Sequence, residues 1–166
     1  MNNSNIYVIA EIGNNHQGSV KHGLELIKAA KDAGANAVKT QKRDNKSLYT
    51  KNFFNQIYDN PNSFGSSYGE HREKLELNKN DYKELIDYAK ELKIDFFATP
   101  FDLKSLEFLE QFNLASYKIA SADITNIYLQ AEIAKTKKEI FLSTGGGTLE
   151  DVKRAKENIF NFNENL

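Results

Sequence analysis

The sequence predicts an α/β fold with a parallel sheet, and three observations predict it. Short apolar runs alternate with amphipathic stretches five times along the chain, which is the pattern of successive strand-helix units joined by right-handed crossovers. Capping signals stand at the starts of the amphipathic stretches. The polar residues of the apolar runs gather at their C-terminal ends, where parallel α/β sheets place their sites. At 166 residues the chain has the length of one domain. Two architectures fit these units: a doubly wound sheet complete at this length, or part of an eight-unit barrel of about 250 residues.

The units run in order as follows. Ile6 to Ile12 is apolar except for Glu11 and reads as a strand buried on both faces; Gly13 and the polar loop Asn14 to Gly18 bound it. Ser19 caps a helix from Val20 to about Ala33 with Val20, Leu24, Ile27 and Ala30 on one stripe, and Gly34 ends it. Ala37 to Lys42 is the second strand, with Lys39 and Gln41 on one face and Val38 and Thr40 on the other. No period holds from Arg43 to Leu77, and a connection of that length without regular structure is usually functional. Asn78 and Asp81 form a capping box for a helix to Leu92 that buries Leu85, Ile86, Ala89 and Leu92. Asp95 to Phe101 is the third strand, and Asp102 caps a helix over Leu103 to Phe112.

The fourth strand lies in the run Ala115 to Asp123, where Lys118 and Ala120 face one way and Tyr117 and Ile119 the other. A short helix covers Tyr128 to Ala134. Glu139 to Thr144 is the fifth strand, Gly145 to Gly147 follow it, and Thr148 with Asp151 caps the last helix.

Composition narrows the chemistry. Hydrophobic residues make up 40% and charged residues 27%, as in a soluble globular protein. With 22 basic against 23 acidic residues the net charge is −1, which gives no basic surface for nucleic acid and no basic tract for an anionic membrane. Cysteine is absent, which excludes disulfides, thiolate metal sites and cysteine nucleophiles. The N-terminus lacks the basic start and apolar core of a secretory signal, so a cytoplasmic location is expected.

The strand-end residues are Glu11, Lys39, Gln41, Thr99, Lys118, Ser121 and Ser143. Two inward lysines with a fringe of hydroxyls suit a small, multiply anionic substrate. Lys118 is the most specific of them, because an ammonium inside an apolar strand needs an anion, an imine or a route to water. Bland readings stand beside this: Glu11 and Lys39 can pair structurally, and Thr99 and Ser143 can serve as strand-end hydrogen bonders. His16 lies in the first strand-helix loop and is a site candidate; His22 and His71 read as surface residues. No histidine pair has metal-site spacing.

The segments I-A-E-I-G-N-N-H-Q-G (9–18), V-K-T-Q-K (38–42), S-Y-G-E-H-R (67–72), F-F-A-T-P-F-D (96–102), Y-K-I-A-S-A-D (117–123) and F-L-S-T-G (141–145) resemble the N-acetylneuraminate (sialic acid) synthase family, in order and over essentially the whole chain. The resemblance implies a TIM-type (β/α) barrel, here incomplete with about five of eight units. It also implies condensation of phosphoenolpyruvate with an N-acetylated hexose such as N-acetylmannosamine, giving a nine-carbon 2-keto sugar acid and phosphate. Synthases for legionaminic or pseudaminic acid share that chemistry. A Schiff-base aldolase using Lys118 and a non-catalytic truncated barrel are the other readings.

Carried over by position, Lys39, Thr99, Lys118, Ser121 and Ser143 match residues that hold phosphoenolpyruvate, and Glu11, Gln41 and Asp123 match residues that face the sugar. A divalent ion, Mn2+ or Mg2+, is implied as cofactor, with ligands on later strands that this chain does not include, and a homodimer is implied for the full-length protein. Three departures stand out. Asp123 replaces a common Glu, and Tyr128 replaces a common Pro. The chain also stops after the fifth unit, before the remaining strands and the antifreeze-like domain, so the isolated chain is expected to be a fragment not active alone.

Overall fold

The computed structural model describes residues 6–166. Five parallel strands form one curled sheet: β1 (Ile9–Glu11), β2 (Ala37–Lys42), β3 (Asp95–Pro100), β4 (Ser116–Ile119) and β5 (Glu139–Leu142). Their spatial order is their chain order. A doubly wound sheet reverses its strand order at a switch point, and this one never reverses, so the units wind in one direction as in a (β/α) barrel.

The helices are α1 (Val20–Asp32), α2 (Asn45–Leu48), α3 (Lys51–Phe54), α4 (Tyr68–Lys74), α5 (Lys79–Glu91), α6 (Leu103–Glu110), α7 (Ile127–Lys135) and α8 (Leu149–Phe160). Their starts follow from local chemistry. Ser19 accepts from the His22 N–H, Asp102 accepts from Ser105, and reciprocal capping boxes join Asn78 to Asp81 and Thr148 to Asp151.

One core lies between the helices and the outer face of the sheet. Val38, Ala98, Tyr117, Ile119 and Ile140 from the strands join Ile27, Leu85, Leu109, Ile133 and Ile159 from the helices. Each of the Val, Leu and Ile side chains contributes about 1.5–3 kcal/mol by leaving water. Tyr117 stays satisfied there because its hydroxyl donates to Glu110 at 2.5 Å. Since side chains alternate along a strand, burying Val38, Tyr117 and Ile119 outward turns Lys39 and Lys118 to the opposite, concave face.

Several elements depart from the sequence expectation. The first strand covers only Ile9–Glu11 and is not buried on both faces: Ile6, Tyr7 and Val8 are exposed, while Ile9 and Ala10 are half-buried. It pairs with β2 alone among the described residues, so nothing covers its outer edge. The stretch 43–77 is not irregular. It holds α2, α3 and α4, organised by the aromatic cluster of Tyr49, Phe53, Tyr58, Phe64, Tyr68 and His71. Each of these helices is seven residues or shorter, too short for a period to emerge. His71 is accordingly half-buried against Phe64 and Tyr58 rather than a surface residue. The third and fifth strands end at Pro100 and Leu142, and α6 ends at Glu110, slightly earlier than expected; α7 is a little longer, Ile127–Lys135.

Candidate functional site

Register aligns the polar side chains of the concave face in rows. Glu11, Lys39 and Phe97 are paired across β1, β2 and β3, and Gln41 pairs with Thr99 one step nearer the strand ends. The Ala98–Tyr117 pair sets Thr99 beside Lys118, and Lys118 pairs with Phe141. Phe97 and Phe141 meet at 5.1 Å between ring centroids and form the apolar floor.

Lys39 is 8% exposed and has three partners. Its ammonium pairs with Glu11 Oε2 at 2.5 Å and donates to Thr99 Oγ1 at 2.9 Å and to the Thr40 carbonyl at 3.2 Å. Burial depresses its pKa, against the opposing pull of Glu11. The structural pairing of Glu11 with Lys39 is therefore realised. The other Glu11 oxygen accepts the Gly13 N–H at 2.9 Å. Gly13 permits this because a Cβ there would lie 2.4 Å from Glu11 Oε1 and 2.6 Å from Gln41 Cγ. Glycine thus lets both side chains fold across the end of β1.

Lys118 is different. It is half-buried, and its one hydrogen bond goes to the Ile119 carbonyl at 2.7 Å. Burial, then the charge of Lys39, pulls its pKa down, while Glu11 pulls it up. Its ammonium has no ion-pair partner among the described residues. Ser121 and Ser143 close the rim beside it: the Ser143 N–H donates to the Ile119 carbonyl at 3.1 Å, and a Cβ on Gly145 would lie 3.8 Å from Ser121 Cβ.

Asp123 stands further out, at the end of the 3-10 turn Ser121–Asp123. It accepts from Asn126 at 3.1 Å. Burial raises its pKa, the Asn126 bond and Arg43 oppose that, and Asp102 adds to it. His16, a site candidate by position, is instead a buried strut: its Nδ1 accepts the Gly18 N–H at 3.1 Å and shapes the first loop. Burial and nearby Lys42 lower its pKa. Lys42 lies on the outer face, paired with Glu76 at 2.9 Å above the Phe108 ring.

Sequence reasoning missed the part that Gly13 plays. A single glycine after a strand carries no signal of what crosses it. Among the described residues no group of three or more His, Asp or Glu side chains is placed to hold a metal ion. On the concave face the Glu11 carboxylate is engaged by Lys39 and the Gly13 N–H, and no second acidic or imidazole group converges on it to complete a ligand set among the described residues.

Comparison with known proteins gives this geometry a context. The sequence profile of the NeuB family matches residues 26–165. The chain belongs to the NeuB family. It is 40% identical over 149 residues to the N-acetylneuraminate-9-phosphate synthase of Drosophila melanogaster, covering 90% of this chain and 40% of that protein. It is 38% identical over 149 residues to the N,N'-diacetyllegionaminic acid synthase of Campylobacter jejuni, covering 89% of this chain and 45% of that one. The crystal structure of N-acetylneuraminic acid (sialic acid) synthetase from Leptospira borgpetersenii superposes with a TM-score of 0.78 at 29% identity, covering 94% of this chain and 50% of that chain. This NeuB-family chain therefore spans less than half the length of those two relatives. No helix among its described residues is long and apolar enough to cross a membrane.

Proposed function

We propose that this chain carries the phosphoenolpyruvate-holding half of a sialic acid-type synthase, which condenses phosphoenolpyruvate with an N-acetylated hexose to give a nine-carbon 2-keto sugar acid and phosphate. On this reading it forms the N-terminal part of the catalytic barrel, and the remaining strands, the divalent metal site and an antifreeze-like domain come from sequence beyond it. One observation carries the reading. Lys118 presents an ammonium with no acidic partner among the described residues on the same face as Lys39, beside Thr99 and within a rim of Ser121 and Ser143.

A phosphate and a carboxylate on one small molecule supply the missing negative charge. Lys118 offers a point-charge donor, Lys39 lends positive charge on the same face while its own donors stay engaged, and the hydroxyls complete the shell. In the reaction, C3 of phosphoenolpyruvate bonds to the aldehyde carbon of the open-chain sugar. Water adds at C2, and phosphate departs with its bridging oxygen. The chain's share is to hold the anion, orient C3 toward the sugar and stabilise charge as it develops. Gln41 and Asp123 lie toward the sugar, and Glu11 keeps Lys39 charged and aimed. The products named for the relatives differ in the sugar, so N-acetylmannosamine and the precursors of legionaminic and pseudaminic acid are the acceptor classes. Phosphoenolpyruvate is a cytoplasmic metabolite, which accords with a cytoplasmic enzyme, and a homodimer is the assembly proposed for the complete protein.

Calorimetric titration of the chain with phosphoenolpyruvate tests this. Lys118→Ala should weaken binding tenfold or more, the range of a lost charged hydrogen bond, with the far-UV spectrum unchanged. Equal affinity in the variant would refute the assignment. A borohydride-trapped adduct between Lys118 and a carbonyl substrate would move the assignment to an imine-forming aldolase.

A further inference from the structure

A cavity of about 360 Å³ opens on the outer side of the sheet, between the end of β2, the start of α2, the segment that follows α4, and α6. Strand alternation sets it apart from the concave face, because Lys42 at its wall points away from Lys39 and Gln41. Hydrogen bonds fix the walls. Glu76 Oε2 accepts from Lys42 Nζ at 2.9 Å and from the Arg43 backbone N–H at 3.2 Å. Asp102 accepts the Asp44 N–H at 2.8 Å, which docks the start of α2 on the start of α6. Two rings complete the frame: Lys42 lies over Phe108 at 4.7 Å and the Arg43 guanidinium over Phe101 at 3.6 Å.

Within that ordered frame the hydrogen bonding is incomplete at one place. Among the described residues seven buried side-chain nitrogen and oxygen atoms have no partner, and four of them belong to three residues that line this cavity. They are Arg43 Nη1, Asn45 Nδ2 and Oδ1, and Glu76 Oε1. Asn45 is 1% exposed, so its whole amide is withheld from bulk water. Buried polar groups are paired as a rule, and exceptions gathered around one cavity point to a ligand that supplies the partners.

The four atoms say what kind of ligand. Arg43 Nη1 and Asn45 Nδ2 are donors, whereas Asn45 Oδ1 and Glu76 Oε1 are acceptors. The Arg43 guanidinium has no ion pair among the described residues, so an anion suits it better than a neutral acceptor. Burial raises the pKa of Glu76 against the opposing pull of Lys42, and a cation at Oε1 favours its charged form. An anionic and a cationic group side by side meet both demands. A free α-amino acid carries its carboxylate and its ammonium on one carbon, and the cavity volume lies at the lower end of the range for small-molecule sites.

We propose that this cavity binds a free α-amino acid, with its carboxylate taken by Arg43 and the Asn45 amide N–H and its ammonium by Glu76 and the Asn45 carbonyl oxygen. Binding there is independent of the reading of Lys39 and Lys118.

Proton–nitrogen correlation spectra of the chain, titrated with L-serine, L-glutamine, acetate, methylammonium and glycerol, test this. The amino acids should shift the Asn45 side-chain amide signals and bind at least tenfold more tightly than acetate, methylammonium or glycerol. Asn45→Leu and Glu76→Gln should each weaken the amino acids tenfold or more, the range of a lost charged hydrogen bond. Phosphoenolpyruvate affinity should stay within twofold in both variants. Unmoved Asn45 amide signals with both amino acids would mean that water alone satisfies the four atoms, and would overturn the proposal. So would acetate or glycerol binding as tightly as the amino acids, or full amino acid affinity in both variants. Should one variant unfold the chain, the other decides, and the ranking of the five probes on wild type stands by itself. If phosphoenolpyruvate fails to bind while the Asn45 signals respond to amino acids, the phosphoenolpyruvate reading alone falls.

Discussion

At the scale of single residues, the two lysines of the concave face differ in kind although both were legible by strand alternation. Lys39 is a finished structural unit: an acid, a hydroxyl and a carbonyl hold its ammonium. Lys118 is unfinished, with one carbonyl. Its depressed pKa gives a signed prediction. Between the folded value and the ordinary 10.5, the unfolded chain binds the proton more tightly, so the Lys118 contribution to stability is fully present above 10.5 and is lost as pH falls through the folded value. Urea unfolding of wild type from pH 8 upward should therefore show a rise with pH that Lys118→Met lacks. The difference between the two proteins isolates this group from the tyrosines that titrate nearby. Identical pH profiles would mean that Lys118 feels no cost from its site.

At the scale of elements, the segment 43–77 is held by its own small core. Tyr49, Phe53, Tyr58 and Tyr68 surround one another, and Ser67 with Glu70 forms a capping box at the start of α4. Gly69 is where this core is tightest, since a Cβ there would lie 2.3 Å from the Phe54 ring. Gly69→Ala should cost about 1–3 kcal/mol, as overpacking does, and shift the aromatic resonances of the cluster in one-dimensional proton spectra. A neutral substitution would show that α4 is free to move relative to α3. The sequence showed that 43–77 breaks the strand-helix rhythm, and the S-Y-G-E-H-R run lay within it. Nothing in the local pattern said that its tyrosine packs against Tyr49, Phe53 and Tyr58, because that cluster depends on how three short helices fold together.

At the scale of the whole molecule, the sheet is a half-barrel with a paired centre and unequal edges. β2, β3 and β4 have neighbours on both sides, whereas β1 is paired with β2 alone among the described residues. Beyond β5, the Ile140 N–H donates to the Asn165 carbonyl at 2.9 Å, and the Asn163 amide donates to the Lys138 carbonyl at 2.6 Å. The last residues thus lie along the free edge of β5, where a sixth strand position falls. Hydrogen exchange should follow this order. Amides of β2 to β4 should be the slowest, β5 intermediate and β1 the fastest, because edge groups open without global unfolding. Protection of β1 equal to that of β3 would reveal a partner on its outer edge, such as a second copy of the chain.

Taken alone, the sequence determined the five strand-helix units, most helix caps, the outward core and the facing of Lys39 and Lys118, because period and capping act over a few neighbouring residues. It also carried the family resemblance, residue by residue. Tertiary structure decided the rest. The unreversed strand order chose barrel over doubly wound sheet, register brought Thr99 beside Lys118, and the bare edge left β1 exposed. Glu11 folded back over Gly13, His16 became a strut, and Arg43 came to lie over the Phe101 ring. These outcomes turn on distances between residues far apart in the chain, which strand pairing and loop folding set and which no local pattern encodes.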